Sequence, residues 1–538
     1  MISNLAEISH PYTKASWPTV LTFSGSDSAG LAGMQMDVKV QHALGVHCLS
    51  VITAVTAQNN QQILAVQAVA CDMIHAQLSA LSVFSPKAIK TGLIANKEQA
   101  HMIAHTQQTL GIPLIFDPVT HATSGGALGT DGGHSNEDIS DILLSHCTLI
   151  TPNIPEAEKL AGFSISSPSD IKKAAIVIVA KGAKAVLIKG GHAMHDRQSV
   201  ADYFYTAREQ FWLKSARVAT LHSRGTGCAL ASAIVSCLAL GYCLKDALVI
   251  GKMVITQGLL DAKGLSIEKG IESACENGFE RGCENDTEKG PVNVGGFPDT
   301  QTSLPILLSE PLQLAGSSLY ANQYQISQPF PNIGDTPLGL YPIVDRAAWL
   351  EALLPLGVST IQLRIKDLTG QALEDEISLA VCIAKRFQCR LFINDYWQLA
   401  IKHGAYGVHL GQEDLALATT NNVNQIEQIH RAGLRLGIST HCHFEVATAV
   451  GFRPSYIAYG PVFATTSKDM PWVPQGLNGL EYWQNLLDYP LVAIGGIDHQ
   501  SAALIHALGV SGIAMISHIT QAKDPISATQ KLLSIVCS

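Results

Sequence analysis

The chain has 538 residues, of which 47% are hydrophobic and 15% charged, and it carries 45 glycines and a formal net charge of −9. This length exceeds what one hydrophobic core usually organises, and the composition is typical of α/β enzymes rather than of disordered or fibrous chains. The 35 basic residues form no long run, which argues against a nucleic-acid-binding surface.

The start of the chain and its cysteines bear on location. The opening MISNLAEISHPYTK lacks the apolar core of a signal peptide, and no stretch approaches the roughly 18 to 20 apolar residues that span a bilayer. The twelve cysteines show no CxxC pair and no zinc-finger spacing. We therefore expect a cytoplasmic protein with no membrane or nucleic-acid partner.

The first half of the chain alternates apolar, strand-like runs with longer helix-compatible stretches. The clearest runs are residues 19–23, 114–116, 148–150 and 185–188. This alternation predicts a largely parallel sheet covered by helices. Ligands of such sheets bind beyond the carboxyl ends of the strands, where the polar groups GSD, DPV, TPN and KGG fall.

The motif Gly225-Thr226-Gly227-Cys228 precedes a run of small, helix-compatible residues. Glycines allow a tight turn, and backbone N–H groups at a helix N-terminus bind developing phosphate charge, so the motif predicts an anion hole. A turn that only caps the helix is the alternative. A cysteine in the first turn feels the helix dipole, which we expect to lower the pKa of Cys228 and allow it to accept a proton.

The segments SGSDSAGLAGMQMDVK, TAVTAQN, TPNIPEAE, IKGGH and RGTGC follow one another over residues 17–270. In this order they resemble the hydroxymethylpyrimidine/phosphomethylpyrimidine kinases, which have a ribokinase-like α/β sandwich. The resemblance implies phosphorylation of 4-amino-5-hydroxymethyl-2-methylpyrimidine by ATP, followed by phosphorylation of the monophosphate to the diphosphate in the same site.

The resemblance also implies residue roles. Cys228 would be the general base, and Lys189 would neutralise charge on the transferring phosphoryl group. Other matching positions would bind ligands: Gly225, Thr226 and Gly227 form the anion hole, Asn153 and Glu156 hold Mg²⁺ through water and so organise ATP, Asp37 and Gln58 contact the substrate, and Ala32 and Val119 line the ring pocket.

Three positions depart from the kinase pattern. Leu31 stands where a glycine is usual, Gly126 replaces an expected carboxylate, and Arg224 replaces a histidine or small residue before the anion hole. A pyridoxal-type kinase is therefore one alternative for this half, because pyridoxine also presents a hydroxymethyl group on a flat nitrogen heterocycle. An inactive module that senses the pyrimidine is another.

Residues 267–336 lack regular apolar runs and are rich in Gly, Pro, Asn, Gln and Ser. We therefore predict a kinase domain over residues 1–300, a linker over residues 301–335 and a second domain over residues 336–538. A linker of about 35 residues is compatible with two independent tethered enzymes.

The last 200 or so residues contain eight short apolar runs: LYPIVD, TIQLRIK, RLFIND, YGVHLG, RLGIST, YIAYGPV, LVAIGGI and GIAMIS. Their average spacing of roughly 25 residues predicts a (β/α)₈ TIM barrel, with a doubly wound open sheet as the alternative. Along TIQLRIK, alternation places Gln362, Arg364 and Lys366 on one face. Cationic side chains on the crowded interior face of a barrel need an anionic partner, and a diphosphate would provide one. The alternative is an edge strand whose polar face is solvated.

Polar residues and glycines follow the other strands, which predicts one functional mouth at their carboxyl ends. With FATTSKDMP and VPQGL, residues 336–538 resemble thiamine-phosphate synthase. The resemblance implies that the pyrimidine diphosphate joins 4-methyl-5-(2-phosphoethyl)thiazole and expels pyrophosphate. The implied ligands are Gln362, Arg364, Lys366, Asn394, Ser439 and Lys468 for the pyrimidine diphosphate, Asp395 and Asp414 for Mg²⁺, and Thr465, Thr466, Ser467, Gly496, Ile516 and Ser517 for the thiazole phosphate.

The two halves fit one another chemically, because the diphosphate that the first makes is the electrophile that the second consumes. We therefore expect a bifunctional enzyme of thiamine biosynthesis that uses ATP and Mg²⁺ and binds only small molecules, with a homo-oligomer compatible with the sequence. His409, on the fourth barrel run, is interpreted as a packed, hydrogen-bonded side chain rather than a catalytic one.

Overall fold

A computed structural model describes residues 16–59, 62–119, 136–191, 198–264, 290–308, 328–415, 424–464 and 474–536. The chain divides into two compact units, residues 14–317 (the N-terminal unit) and residues 318–538 (the barrel unit). Within the described ranges, no helix combines the length and the apolar character needed to cross a membrane.

A ten-stranded sheet forms the centre of the N-terminal unit, in the order β10-β9-β8-β7-β6-β5-β4-β1-β2-β3. Strands β2, β1 and β4 to β7 run parallel, and antiparallel strands complete both edges. The strands are β1 Thr19–Asp27, β2 His47–Gln58, β3 Ile63–Ala68, β4 Ala88–Thr91, β5 Leu114–Phe116, β6 Leu149–Ile150, β7 Val186–Ile188, β8 Ser199–Tyr205, β9 Gln210–Ala216 and β10 Ile306–Leu308.

Eight described helices accompany this sheet, and the predicted α/β sandwich is confirmed. They are α1 Gly33–Ala43, α2 Cys71–Ala80, α3 Lys97–Leu110, α4 Asn136–Leu144, α5 Ile154–Ala161, α6 Pro168–Ala180, α7 Thr226–Ala239 and α8 Leu244–Leu260. Helix α7 contacts β4 and β5 as well as α1 and α8. Because it lies between layers, its small and apolar side chains are buried around nearly the whole helix.

The N-terminal unit includes residues beyond 300, inside the segment predicted to be a linker. Strand β10 pairs with β9, with Ile306 opposite Lys214 and Leu308 opposite Trp212. At the other end of the predicted linker, Phe330 and Ile333 are buried in the barrel unit. Sequence analysis missed strand β10 and the buried segment that contains Phe330 and Ile333, because both segments are short and their surroundings are polar.

The barrel unit contains a closed barrel of eight parallel strands, which confirms the predicted TIM barrel. The open-sheet alternative is wrong, because the last strand pairs with the first from Gly339 opposite Gly512 to Pro342 opposite Met515. The strands are β11 Gly339–Val344, β12 Thr360–Leu363, β13 Arg390–Asn394, β14 Gly407–Leu410, β15 Arg435–Thr440, β16 Tyr456–Tyr459, β17 Leu491–Ile494 and β18 Gly512–Met515.

Helices follow the barrel strands, and a short segment covers the opposite end. The described helices are α9 Ala348–Leu353, α10 Gly370–Arg386, α11 Trp397–His403, α12 Asn424–Arg431, α13 His443–Gly451, α14 Gly476–Leu486, α15 His499–Ala507, α16 Ser517–Thr520 and α17 Pro525–Val536. Ahead of β11, Ile333 and Leu338 pack with Tyr341, Phe392 and Tyr456 in the barrel core. The carboxyl ends of the strands therefore form the mouth available for chemistry.

Candidate active sites

The predicted anion hole lies at the N-terminus of α7. Gly225 is the N-cap residue, with a φ of 78° that favours glycine. A Cβ atom at this position would lie 2.2 Å from the carbonyl oxygen of Leu31, so the close approach also requires glycine. The turn thus brings the loop before α1 against the first turn of α7, whose N–H groups have no partner within the helix.

The ammonium group of Lys189 lies beside the anion hole. Its Nζ is 3.1 Å from Oδ1 of Asp117, and the two side chains are 15% and 2% exposed. A Cβ built on Gly227 would be 3.4 Å from the same Nζ, so this cation borders the helix terminus. Burial opposes the charge, but the carboxylates of Asp117 and Glu156 outweigh it and raise the pKa of Lys189.

Asn153 and Glu156 form a capping box at the start of α5. The Asn153 side chain accepts a hydrogen bond from the Glu156 N–H at 2.9 Å, and Glu156 accepts one from the Asn153 N–H at 2.7 Å. The backbone of Asn153 also pairs with that of Lys189. Burial raises the pKa of Glu156 to about 7; the charge of Lys189 lowers this pKa, and the charge of Asp117 raises it by a smaller amount.

The structure corrects the expected state of Cys228. The residue is in the first turn of α7 as predicted, but burial raises the pKa of its thiol to about 12. The nearby Lys90 lowers this pKa and the carboxylates of Asp37 and Asp117 raise it. The expectation of a lowered pKa is wrong because desolvation of the thiolate exceeds the stabilisation that the helix terminus and Lys90 provide.

Asp37, predicted to contact the substrate, is fully buried in an ion pair. Its carboxylate and the ammonium of Lys90 are both fully buried, with 2.8 Å between Oδ2 and Nζ. The Ser232 hydroxyl donates to the same carboxylate at 2.8 Å. Asp37 therefore joins α1, β4 and α7 beneath the site, where a buried charge pair requires its partner.

The other residues predicted to bind the pyrimidine, which is the phosphoryl acceptor, lie at the carboxyl ends of β1, β2 and β5. Gln58 is half-buried, and its backbone exchanges two hydrogen bonds with the Ser28 hydroxyl, at 2.9 and 3.0 Å. Val119 packs with Ala54 and Leu93 in an apolar cluster. The half-buried Ala32 precedes α1 and donates its N–H to Asp27.

Two buried aspartates escaped sequence analysis. Asp27 accepts hydrogen bonds from three backbone N–H groups of the loop before α1, at 2.8 to 3.0 Å, and so fixes that loop. Asp202 pairs with Lys252 at 2.7 Å and accepts the Gly190 N–H at 2.8 Å, which holds the turn after Lys189. Only the GSD motif hinted at Asp27, and no local pattern marks Asp202.

In the barrel unit, the mouth brings together most of the described residues predicted for the diphosphate. Gln362 is buried, Arg364 is half-buried and the Lys366 side chain is 52% exposed, so the polar face of this segment runs outward. Nζ of Lys366 lies 2.5 Å from Oδ2 of Asp395. Asn394 is buried at the end of β13. The solvated-edge alternative is wrong because β12 is paired on both sides.

Asp395 and Asp414 form a carboxylate pair. Burial raises the pKa of Asp414, as do the charge of Asp395 and a hydrogen bond between the two side chains. Asp395 has a φ of 65°, in the left-handed region where Asp is better tolerated than most residues. Two adjacent carboxylates favour either a shared proton or a cation, and hard oxygen ligands suit Mg²⁺.

A neutral hydrogen-bonded network occupies the barrel interior below these charges. His409 is buried, with Nε2 2.7 Å from the Ser439 hydroxyl and Nδ1 2.7 Å from the Tyr456 hydroxyl. The Tyr456 and Tyr341 hydroxyls are 2.8 Å apart. Burial lowers the pKa of His409 to about 4, so the imidazole is neutral. This supports the interpretation of His409 as a packed, hydrogen-bonded side chain.

Three predicted thiazole-phosphate residues lie near the ends of β17 and β18. Gly496 has a φ of 66°, and a Cβ there would lie 2.4 Å from the Ala464 carbonyl oxygen. Ile516 and Ser517 begin the short helix α16. The remaining predicted residues of the mouth, Thr465, Thr466, Ser467 and Lys468, lie outside the described residues, as does Gly126.

A histidine pair adjoins Ser517 and was also missed. Nδ1 of His499 and Nε2 of His518 are 2.5 Å apart, and both rings line a cavity of about 320 Å³ with Ser517 and Gln521. Burial lowers the pKa of His518, and the neighbouring His499 adds to this effect. The two residues are 19 positions apart and no motif connects them, so only the barrel closure reveals the pair.

Comparisons with known proteins agree with this architecture. The family model described as Phosphomethylpyrimidine kinase matches residues 27–274, and the one described as Thiamine monophosphate synthase matches residues 340–519. Thiamine-phosphate synthase of Serratia proteamaculans is 53% identical over 214 residues, which is 39% of this chain and 97% of that protein.

Solved structures resemble the N-terminal part. Phosphomethylpyrimidine kinase from Clostridium difficile is 34% identical, with a TM-score of 0.40 over 45% of this chain and 99% of that one. Pyridoxal kinase from Staphylococcus aureus is 27% identical, with a TM-score of 0.45 over 55% of this chain and 98% of that one.

The two family matches cover separate, successive parts of the chain, in the order predicted. Because the first match is to the pyrimidine kinases, neither the pyridoxal-kinase nor the sensor alternative is favoured. ATP is the phosphoryl donor implied by that kinase family. The chain belongs to the thiamine-phosphate synthase family through its barrel unit, and its N-terminal unit is a phosphomethylpyrimidine kinase domain, which makes it a bifunctional enzyme of thiamine biosynthesis.

Proposed function

We propose that the N-terminal unit phosphorylates hydroxymethylpyrimidine twice and that the barrel unit uses the resulting diphosphate. The observation that carries the kinase half is the Lys189–Asp117 pair beside the free N–H groups of α7. A cation and a helix N-terminus at one point stabilise the negative charge that develops on a transferring phosphoryl group.

In the proposed kinase step, the hydroxymethyl oxygen attacks the γ-phosphorus of ATP, the bond to the bridging oxygen breaks, and ADP leaves. The backbone N–H groups of Gly225, Thr226 and Gly227 and the ammonium of Lys189 stabilise the transferring group. Cys228 accepts the hydroxyl proton as thiolate. Its raised pKa makes the thiolate scarce but strongly basic, and Lys90 is the nearby cation that favours it.

The half-buried Gln58 would bind the acceptor ring, because its amide both donates and accepts hydrogen bonds. Ala32 and Val119 would form the apolar contacts of the ring. Glu156 would help to hold Mg²⁺ through water: its carboxyl, with a pKa of about 7, would be ionised by a nearby cation. The Asn153 oxygen already accepts from the Glu156 N–H, so we assign Asn153 to orienting that glutamate. Mg²⁺, when bound, would neutralise phosphate charge.

In the proposed synthase step, the bond from the pyrimidine methylene to the diphosphate breaks first and the thiazole nitrogen then attacks the methylene carbon. Pyrophosphate leaves with the bonding electron pair. Arg364 and Lys366 would bind the leaving diphosphate from the mouth, while Gln362, Asn394 and Ser439 would orient the pyrimidine end. His409 is neutral, so it would position Ser439 without adding charge.

Asp395 and Asp414 would hold the magnesium ion of the synthase. Their close approach and the raised pKa of Asp414 fit a site that gains from a divalent cation. Mg²⁺, when bound, would neutralise charge on the departing diphosphate. Gly496, Ile516 and Ser517 would bind the thiazole phosphate, since loops after the last two strands commonly bind phosphate in such barrels. Thr465, Thr466, Ser467 and Lys468 are proposed from the resemblance alone.

The decisive experiment supplies the full chain with thiazole phosphate and Mg²⁺, and with either the pyrimidine alcohol plus ATP or the pyrimidine diphosphate. Cys228→Ala is expected to abolish thiamine phosphate formation from the alcohol and to leave formation from the diphosphate unchanged. Arg364→Ala is expected to impair both routes, because it acts on the later step. Normal use of the alcohol by the cysteine variant would contradict its assignment as the base.

The same assay tests the alternatives for the N-terminal unit. Release of ADP with hydroxymethylpyrimidine, but not with pyridoxine, would support the kinase proposed here. Absence of ADP release with every acceptor, together with active synthesis from the diphosphate, would support a sensor instead. From the sequence pattern we also infer a cytoplasmic enzyme with small-molecule substrates. We propose in addition that the chain forms a homo-oligomer, which a sedimentation measurement would test.

A further inference from the structure

Arg224 is held in a fixed position directly before the anion hole. Its N–H donates to the carbonyl of Gly290 at 3.3 Å, and its carbonyl accepts the N–H of Val292 at 3.0 Å. The residue is only 6% exposed. Because the Arg224 backbone is hydrogen-bonded through both its N–H and its carbonyl, its side chain points in one direction and has little freedom to leave the site.

The guanidinium of Arg224 lacks an anionic partner among the described residues. Nη2 makes one long hydrogen bond, 3.5 Å, to the Asn59 carbonyl oxygen. Nε is buried and has no hydrogen-bond partner in the part of the chain that the structure describes. Asp27 acts on the charge, yet its two oxygens already accept the N–H groups of the loop before α1.

This arrangement is energetically unfavourable without an additional anion. Burial lowers the pKa of Arg224, although a guanidinium stays protonated in proteins. A buried cation short of hydrogen bonds carries a desolvation cost that a bound anion would offset. The neighbouring Lys189 and Lys90 differ in this respect, because each has a carboxylate within 3.1 Å.

The direction of the side chain identifies which anion it would meet. Arg224 reaches toward Asn59, next to Gln58 at the end of β2, and Cys228 is within electrostatic range of its guanidinium. This is the acceptor side of the anion hole, whereas Lys189 lies on the side of Gly227. The first acceptor is a neutral alcohol, but the second carries a phosphate where the first carries a hydroxyl.

We propose that Arg224 forms an anion subsite that binds the phosphate of the monophosphorylated pyrimidine and so favours the second phosphorylation over the first. This inference rests on the proposed two-step kinase function. The subsite uses Nε and the remaining guanidinium N–H groups as donors to phosphate oxygens, a geometry for which arginine is well suited.

The test measures ADP release by the full chain with ATP and Mg²⁺, separately with the pyrimidine alcohol and with its monophosphate. Arg224→Gln is expected to raise KM for the monophosphate about 10- to 100-fold, the effect of losing a charge-assisted hydrogen bond. KM for the alcohol should stay within about threefold. Arg224→Lys should recover part of the monophosphate affinity, because it restores the charge but not the planar donors.

Arg208→Gln is the matched control, because Arg208 is exposed in the turn between β8 and β9. Strand β8 runs antiparallel to β7, so this turn lies at the sheet edge opposite the site. The control should leave both substrates unaffected. Equal impairment of both substrates by Arg224→Gln would overturn the subsite in favour of a structural clamp, and an unchanged KM for the monophosphate would also overturn it. No ADP release by the unsubstituted chain would instead refute the proposed kinase function.

Discussion

The two candidate sites place their charges in opposite ways. Beneath the anion hole of the N-terminal unit, Asp37 and Lys90 are both fully buried as a pair, and Lys189 is largely buried with Asp117. At the barrel mouth, Lys366 is half-exposed, and the interior below it contains neutral hydroxyl, amide and imidazole groups. The N-terminal site thus contains desolvated ion pairs. The barrel site has charged side chains at its mouth and neutral, hydrogen-bonded side chains below them.

This difference matches what each proposed reaction requires. Transfer of a phosphoryl group gains from charges held in fixed positions away from water, where electrostatic stabilisation is strong. Expulsion of pyrophosphate requires that the leaving group be neutralised and then released, which suits cations at a solvated rim. In the proposed reaction, the neutral interior would keep the pyrimidine end free of competing charge. The comparison predicts that charge removal harms folding in one unit and mainly ligand binding in the other.

The largest expected effect tests the buried pair of the N-terminal unit. Asp37→Asn leaves the fully buried Lys90 without its carboxylate and should lower the free energy of unfolding of this unit by about 3–5 kcal/mol. Hydrogen exchange of N-terminal peptides should rise while synthesis from supplied diphosphate persists. Glu209→Gln breaks an exposed pair with Lys245 and should change exchange little. Equal stability of the Asp37 and Glu209 variants would contradict the comparison.

A second prediction concerns the pH dependence of the N-terminal unit. The pKa of Glu156 is raised to about 7, so the folded state binds more protons than the unfolded state between pH 4.5 and 7. Stability contributed by this group is therefore present at low pH and lost as pH rises through 7. Glu156→Gln, which retains a capping amide, should stabilise the unit at pH 8 by about 1–3 kcal/mol and lower kinase activity.

Urea unfolding at several pH values, followed by exchange of N-terminal peptides, checks this prediction. Glu98→Gln, an exposed residue in the first turn of α3, provides the control and should not alter the pH dependence. If Glu156→Gln unfolds with the same pH profile as the unsubstituted chain, the buried carboxyl does not titrate as inferred.

The barrel unit should respond to pH in the opposite sense. The pKa of His409 is lowered to about 4, so the unfolded state binds more protons between pH 6.5 and 4. The barrel therefore loses stability as pH falls through this window, by about 1–3 kcal/mol. His409→Gln should reduce this loss of barrel stability at low pH, measured as hydrogen exchange of barrel peptides. The half-buried His506 offers a control, and a similar reduction by His506→Gln would show that the effect is not specific.

The smallest expected effect tests the neutral hydrogen-bonded network below the barrel mouth. Tyr456→Phe removes the hydroxyl that lies between His409 and Tyr341 and should destabilise the barrel by about 1–2 kcal/mol. Synthase activity should fall less than tenfold, because no charge is lost. Tyr406→Phe removes a single hydrogen bond to the Ile333 carbonyl and is expected to cost less. A larger loss of activity with Tyr456→Phe than with Arg364→Ala would invert the proposed roles.

Sequence reasoning succeeded where structure follows from local pattern. All eight barrel strands coincide with the apolar runs, and the GTGC motif begins α7 as expected. It failed where the answer depends on distant partners or on short segments in polar surroundings. Strand β10 lay inside the expected linker, and the pairing of Asp37 with Lys90 spans 53 positions.

The amino-acid sequence by itself determined the order of the elements and the types of side chain at the strand ends, because apolar periodicity and turn residues act over a few positions. Tertiary structure alone decided the protonation of those side chains. Burial raises the pKa of Cys228 and lowers that of His409, because it disfavours the charged form of each, and burial is set by what packs around a group. Among the described residues, the same packing left Arg224 enclosed without a counter-charge.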